Sequence, residues 1–175
     1  DRRPRNGGAV KILAPLRSAD EVLRLAEAGA GEFYCGVTPP GWEAAFGQAS
    51  VHRRSARSAG VSGLEELRQI VALAGNAPVF ATLNAPSYPA GAIPRLVEFG
   101  RILVEEANVA ALIVAELELI LALGDAGLAG RVRVAAALRA ADTAPGRRAG
   151  VVADPAPSGA PADLLRRATD AAACE

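Results

Sequence analysis

The sequence predicts an α/β fold in which short parallel strands alternate with helices to form part of a (β/α)8 barrel of the TIM type. Short apolar runs of strand length recur along the chain, and stretches with apolar residues at helical spacing separate them. The polar residues that could carry chemistry follow the ends of the strands, as they do in such barrels. We expect about five βα units between residues 10 and 138.

Capping and stop signals set the order of the predicted elements. Two helices begin at a capping box, formed by Ser18 with Glu21 and by Ser62 with Glu65, and they end at the glycines 29 and 75. Two further helices are predicted from residues 93 and 117 onward by apolar residues at helical spacing. The strands are predicted at residues 10–15, 32–37, 78–84, 110–115 and 131–138.

Two architectures compete for this pattern. An open, doubly wound sheet of five strands would be complete at this length, whereas a closed barrel needs about 250 residues. The turn after the first strand, Ala14-Pro15-Leu16-Arg17, lacks the glycines that bring a backbone close to a pyrophosphate, which disfavours a nucleotide-binding open sheet. We therefore expect an arc of barrel whose strand order equals the sequence order, rather than an order such as 2-1-3-4-5.

Composition narrows the class of protein. The 175 residues are 51% apolar and 22% charged, with 19 basic and 19 acidic side chains, which predicts one folded domain without a broad basic surface for duplex nucleic acid. No apolar stretch is long enough for a membrane span, and residues 1–9, expected to be disordered, do not resemble a signal peptide. Two cysteines make no disulfide framework, so we expect a cytoplasmic location.

The last part of the chain differs from the rest. Residues 139–175 contain no aromatic residue and no isoleucine and are rich in alanine, so they cannot fill a core to normal density. We expect an irregular, low-complexity tail of the composition that a frameshift in a GC-rich gene would produce. Such a half barrel would leave the edges of the first and fifth strands unpaired, which predicts self-association.

A long insertion at residues 38–61 is the first candidate binding region. It contains Trp42 and the run His52-Arg53-Arg54, and no acidic residue follows Glu43 within it. One interpretation is that Arg53 and Arg54 bind an anion or RNA while Trp42 and His52 offer stacking surfaces. The other is a solvated loop in which Trp42 plugs the barrel mouth. The second interpretation is favoured.

Polar residues at the strand ends are the candidate catalytic groups. Glu116 is a candidate acid–base residue or the N-cap of the next helix. Asn84 either orients a substrate or satisfies the backbone hydrogen bonds of its own loop. Cys35, next to Tyr34, is a nucleophile only if His52 partners it, and a buried structural thiol is the favoured interpretation. No metal site is predicted.

Seven segments carry a family resemblance. They are Leu13-Ala14-Pro15, Ser18-Ala19-Asp20-Glu21, the stretch 27–37 with its Gly31-Glu32-Phe33-Tyr34-Cys35-Gly36, Arg53-Arg54, Ser62-Gly63-Leu64-Glu65-Glu66-Leu67, Thr82-Leu83-Asn84 and Leu112-Ile113-Val114-Ala115-Glu116. Taken together and in this order, they resemble the N-terminal half of the collagenase-like peptidase family, peptidase family 32 of unassigned catalytic type. The resemblance runs from Lys11 to about Leu138. It implies a (β/α) barrel, a peptidase activity or a part in tRNA or rRNA hydroxylation, and hence a peptide or RNA substrate.

The chain departs from the family pattern at three places. Val134-Ala135-Ala136-Ala137 stands where the family usually has a Ser-Thr pair, and Glu116 stands where aspartate is common. The four cysteines that hold an iron–sulfur cluster in relatives have no counterpart, so no cofactor is expected here. If the family chemistry is retained, Tyr34, Cys35, Arg53, Arg54, Asn84 and Glu116 should converge on one face. The alternatives are a non-enzymatic α/β binding module and an inert truncated gene product.

Overall fold

A computed structural model describes residues 11–53, 60–136 and 151–153. The strands are β1 (Ile12–Pro15), β2 (Ala30–Gly36), β3 (Val79–Leu83), β4 (Ala111–Val114), β5 (Val132–Ala136) and β6 (Val151–Ala153). The helices are α1 (Glu21–Glu27), α2 (Trp42–Phe46), α3 (Leu64–Ala74), α4 (Ile93–Glu105) and α5 (Leu117–Leu123). A π-helical turn (Gly124–Leu128) and a 3₁₀ turn (Ala129–Arg131) join α5 to β5.

The sheet has the predicted order. Its strands run β1-β2-β3-β4-β5-β6, and β1 to β5 pair in parallel. Sequential parallel neighbours joined by helices are the arrangement of a (β/α) barrel, and among the described residues the sheet does not close on itself. The prediction of about five parallel βα units is confirmed, and a doubly wound order is excluded.

Strand β6 was not predicted from the sequence. This strand pairs antiparallel with β5, with Val134 opposite Ala153 and Ala135 opposite Val152. The expectation that β5 has an unpaired edge is therefore wrong, because a short β-branched run within the predicted tail supplies a partner strand. The predicted segment 1–9 and the rest of the tail lie outside the described residues.

Alternation along the strands divides the buried residues between the two faces of the sheet. On one face, Phe33, Leu83 and Leu112 pack with the helices. On the other, Phe80, Ala111 and Ile113 form a smaller cluster with neighbouring partly buried side chains. The helices approach the first face closely, since a Cβ on Gly100 of α4 would lie 3.0 Å from Leu112 and 3.1 Å from Leu123.

Charged side chains lie across the second face. Glu32 of β2 forms an ion pair of 3.6 Å with Arg133 of β5, and both side chains are largely buried. The Arg133 guanidinium carbon lies 3.7 Å from the centre of the Phe80 ring, within the range of a cation–π contact. These contacts link β2, β3 and β5 on the side of the sheet that would face a barrel interior.

Both predicted capping boxes are wrong in detail. The Glu21 carboxylate accepts hydrogen bonds from the backbone N–H and the guanidinium of Arg17, at 2.9 and 2.7 Å, and no side chain caps α1. At α3 the N-cap is Gly63, so the glutamate that accepts the Ser62 N–H and hydroxyl, each at 2.7 Å, is Glu66. Starting the helix one residue later than predicted brings the next glutamate to the bonding position.

Candidate functional site

The carboxyl ends of β1, β2 and β3 enclose a cleft of about 250 Å³. Parallel strands all end on the same side of a sheet, so their terminal residues and the loops that follow meet there. Among the predicted site residues, the cleft brings together Tyr34, Cys35, Arg53 and Asn84. Its described lining residues are Pro15, Leu16, Tyr34, Cys35, Gly36, His52, Arg53, Thr82 and Asn84.

Arg53 and Asn84 are joined directly at the rim of the cleft. The Arg53 backbone N–H donates to Asn84 Oδ1, and Arg53 Nε donates to the Asn84 carbonyl, each at 3.2 Å. The Asn84 side chain therefore accepts a hydrogen bond from the insertion, and its role is not confined to its own turn. Arg53 is exposed and Asn84 half-buried, which leaves the charged group open to solvent on a fixed anchor. The predicted Arg54 lies outside the described residues.

His52 forms the wall of the cleft against β2. Its side chain is buried, and a Cβ built on Gly36 would lie 2.5 Å from its Cδ2 and Nε2 atoms. Real Cβ atoms do not approach other atoms so closely, so only glycine fits at this position. A glycine at the end of an apolar strand is a sequence signal for such a close approach.

The Cys35 thiol is a structural group in this fold. Its side chain packs in the core on the helix side of the sheet. Burial, helped by the negative charge of Glu66, raises the pKa of this thiol to about 12, so it stays protonated at neutral pH. Because the thiolate is the nucleophile, the structure favours the buried-cysteine interpretation over direct cysteine catalysis.

Glu116 is the N-cap of α5. Its Oε2 atom accepts a hydrogen bond of 2.7 Å from the Leu119 N–H, as the capping interpretation expects. It is not among the residues that line the cleft. The predicted convergence therefore holds for the residues of β2, β3 and the insertion loop, and not for Glu116.

Trp42, in α2 near the start of the insertion, lies in a small aromatic cluster. It is buried, with its ring 4.4 Å from that of Phe46 and in an edge-on contact with Tyr88. Trp42 belongs to the core cluster on the helix side of the sheet and does not line the cleft, so its ring is a packing group rather than a stacking surface. With His52 also buried, neither of the two predicted stacking surfaces is offered to solvent.

Tyr88 is a residue that sequence reasoning missed. Its hydroxyl donates to the Val51 carbonyl at 3.0 Å and accepts the Ala85 N–H at 3.3 Å. Burial raises the pKa of this phenol well above its ordinary value, so it remains a hydrogen-bond donor at any physiological pH. An aromatic residue between Ser87 and Pro89, in a loop after a strand, was the available signal.

The charge of the cleft favours an anion. Arg53 supplies a permanent positive charge, and no acidic side chain belongs to the described lining. Protonated Cys35 adds no negative charge. Within the described ranges, no cluster of three or more histidine, cysteine or acidic residues could hold a metal ion. In the same part of the chain, no helix is long and apolar enough to cross a membrane.

Three solved structures resemble this fold. The U32 peptidase Mk0906 is 17% identical, with a TM-score of 0.47, over 71% of this chain and 48% of that one. A predicted phosphonomutase from Burkholderia cenocepacia is 16% identical, with a TM-score of 0.44, over 70% of this chain and 52% of that one. The DAHP synthase of Thermotoga maritima is 13% identical, with a TM-score of 0.36, over 79% of this chain and 45% of that one. The chain thus spans about half the length of these proteins. No protein-family model and no curated protein sequence matches it.

These likenesses are at the level of the fold. Their identities are too low to transfer a ligand or a reaction to this chain. The architecture itself, five sequential parallel strands alternating with helices, does not identify a reaction, and the function has to be inferred from the cleft.

Proposed function

We propose that this chain is the substrate-binding part of a (β/α)-barrel enzyme of the collagenase-like peptidase type, and that its cleft binds the C-terminal carboxylate of a peptide. The observation that carries the proposal is Arg53, anchored to Asn84 at the rim of a cleft with no acidic residue in its described lining. A guanidinium carries five N–H donors in a planar fork that fits a carboxylate, and the Asn84 carbonyl takes one of them.

A peptide suits this cleft better than RNA does. Sequence-specific RNA recognition relies on splayed bases that stack on accessible aromatic rings, and the predicted stacking residues Trp42 and His52 are 1% and 6% exposed. The chain carries 19 basic and 19 acidic residues, which is not the electrostatic footprint of a phosphate-backbone binder. A cleft of about 250 Å³ accommodates one anionic group and its neighbouring atoms.

We assign binding and orientation, rather than bond cleavage, to these residues. Cys35 is held as a thiol, and the Glu116 carboxylate caps a helix outside the cleft. Asn84, a candidate catalytic residue from sequence, holds the arginine in place in this proposal. Any acid–base group would have to come from elsewhere in the enzyme.

The test is an NMR titration in which acetyl-Gly-Pro-Ala is added to the ¹⁵N-labelled protein. We expect the free acid to shift cleft resonances and the C-terminal amide of the same peptide to bind several-fold more weakly. Replacing Arg53→Ala should weaken acid binding about 5- to 30-fold, the equivalent of about 1–2 kcal/mol for a charge-assisted hydrogen bond. Arg101→Ala is the matched control, because it removes an arginine from α4 that pairs with Glu105.

Three results would overturn the proposal. Equal affinity for acid and amide would show that the carboxylate is not recognised. Tighter, Arg53-dependent binding of a single-stranded hexaribonucleotide would establish the RNA alternative. No binding of any of these probes would favour the inert-product interpretation.

A further inference from the structure

Two loops meet above the cleft and are fastened together by hydrogen bonds. The first, the arginine loop, comprises residues 48–53, and the second, the tyrosine loop, comprises residues 84–88. Gln48 Nε2 donates to the Ser87 carbonyl at 3.3 Å, and the Ala85 N–H donates to the Val51 carbonyl at 3.1 Å. The two contacts between Arg53 and Asn84 complete this connection.

Tyr88 occupies the centre of the contact between the loops. Its hydroxyl is bonded to the Val51 carbonyl of the arginine loop and to the Ala85 N–H of its own loop. Val51 is fully buried and lies two residues before Arg53, so its position sets the path of the backbone into the arginine. The Tyr88 ring is fixed independently by its edge-on contact with Trp42, 6.4 Å between ring centres.

We propose that Tyr88 is a positioning residue of the carboxylate site, acting through Val51 to hold Arg53 at the rim of the cleft. This inference rests on the proposed function, since it concerns how the same arginine meets its anion. Tyr88 itself is not among the residues that line the cleft, so its effect on binding passes through the arginine loop. A side chain ordered in advance loses less conformational entropy when its ligand binds.

The variant Tyr88→Phe separates the hydroxyl from the ring. It removes the bond to the Val51 carbonyl and keeps the packing on Trp42. We expect affinity for acetyl-Gly-Pro-Ala to fall about 3- to 10-fold in the otherwise unchanged protein, and not to fall further when Arg53→Ala is already present. The second measurement distinguishes positioning from a general loss of structure, because a structural defect would weaken binding in both backgrounds.

A matched control and a ligand-free readout complete the experiment. Ser62→Ala also removes a hydroxyl hydrogen bond, that to Glu66 at the start of α3, and should lower the Tm without changing peptide affinity. In the protein without ligand, the ¹⁵Nε resonance of Arg53 should shift in Tyr88→Phe and stay in place in Ser62→Ala.

The outcomes separate the two proposals. An unshifted Arg53 resonance in Tyr88→Phe, or equal losses of affinity in both backgrounds, would overturn the positioning role. If the resonance shifts but the peptide acid fails to bind, Tyr88 orders the arginine and the assigned ligand is wrong.

Discussion

The ends of β3 and β4 are neighbours in the sheet and each carries a polar residue, yet the two ends are built for different tasks. After β3, Asn84 begins a loop that runs to α4 at Ile93, and this length lets it meet the arginine loop. After β4, Glu116 is followed at once by α5, whose free N–H groups take its carboxylate. The polar residue at the end of β3 thus bonds to a neighbouring loop, whereas the one at the end of β4 caps the helix that follows it.

The largest expected effect is at the end of β2, which pairs with β3 beside the same cleft, and the change is Gly36→Ala. The added methyl group would enter the His52 ring, and we expect a loss of about 1–3 kcal/mol in the free energy of unfolding, as for overpacked cores. Gly31→Ala is the matched control on the same strand, because nothing lies within 4 Å of its Cβ position. Urea denaturation measures both. Equal stability of the two variants would show that the wall formed by His52 is not rigid.

The β4 end is tested by Glu116→Ala. Losing the capping bond should cost about 0.5–2 kcal/mol of stability, the range measured for N-caps. Glu116→Asp should recover part of this loss, because aspartate is also a good N-cap. Thermal and urea unfolding provide the measurement. A Glu116→Ala protein as stable as the parent would mean that the carboxylate is free for another role.

Glu21, at the start of α1, tests a second helix-start carboxylate through the pH dependence of stability. The hydrogen bonds and charge of Arg17 lower the pKa of Glu21 below its ordinary value, so this residue adds stability above that value and loses it as the pH falls through the lowered pKa. We expect Glu21→Gln to be less stable than the parent at pH 7 and equally stable in strong acid. Glu27→Gln, an exposed change in the same helix, is the control; a deficit that persists in acid would contradict this account.

The smallest expected effect is at Cys35. In a Cys174→Ser background, iodoacetamide at pH 8 should leave Cys35 unmodified in the folded protein and label it in urea, because the thiol is buried with a pKa of about 12. Mass spectrometry follows the labelling. Modification of the folded protein at the rate of a free thiol would show that Cys35 is accessible and reactive, and nucleophilic catalysis by this thiol would again be a candidate.

Sequence periodicity was sufficient to predict the five parallel strands and their order, because apolar runs separated by helical patterns admit few topologies. It could not predict β6, since three residues in a segment of poor core-forming composition carry no periodic signal. The capping boxes failed for a local reason. A shift of one residue in the helix start at Gly63 exchanges one glutamate for the next.

The site was predicted in part. Position at strand ends was enough to place Tyr34 and Asn84 at one edge of the sheet, and Arg53 of the insertion meets them there. The roles of individual residues depend on contacts between loops that are distant in sequence, such as the bond of Tyr88 to Val51. Spacing alone does not reveal whether Glu116 faces a cleft or a helix end, because both arrangements place a carboxylate at the same position in the chain.

The central claim, that Asn84 serves the ligand site and Glu116 serves the fold, is tested most directly by the affinity of Asn84→Ala and Glu116→Ala for acetyl-Gly-Pro-Ala. We expect Asn84→Ala to bind the free acid about 3- to 10-fold more weakly, because Arg53 loses the side-chain acceptor of its backbone N–H, worth about 1 kcal/mol. Glu116→Ala should bind it as the parent does, under conditions where both variants are folded. A loss of affinity in Glu116→Ala with none in Asn84→Ala would contradict the account.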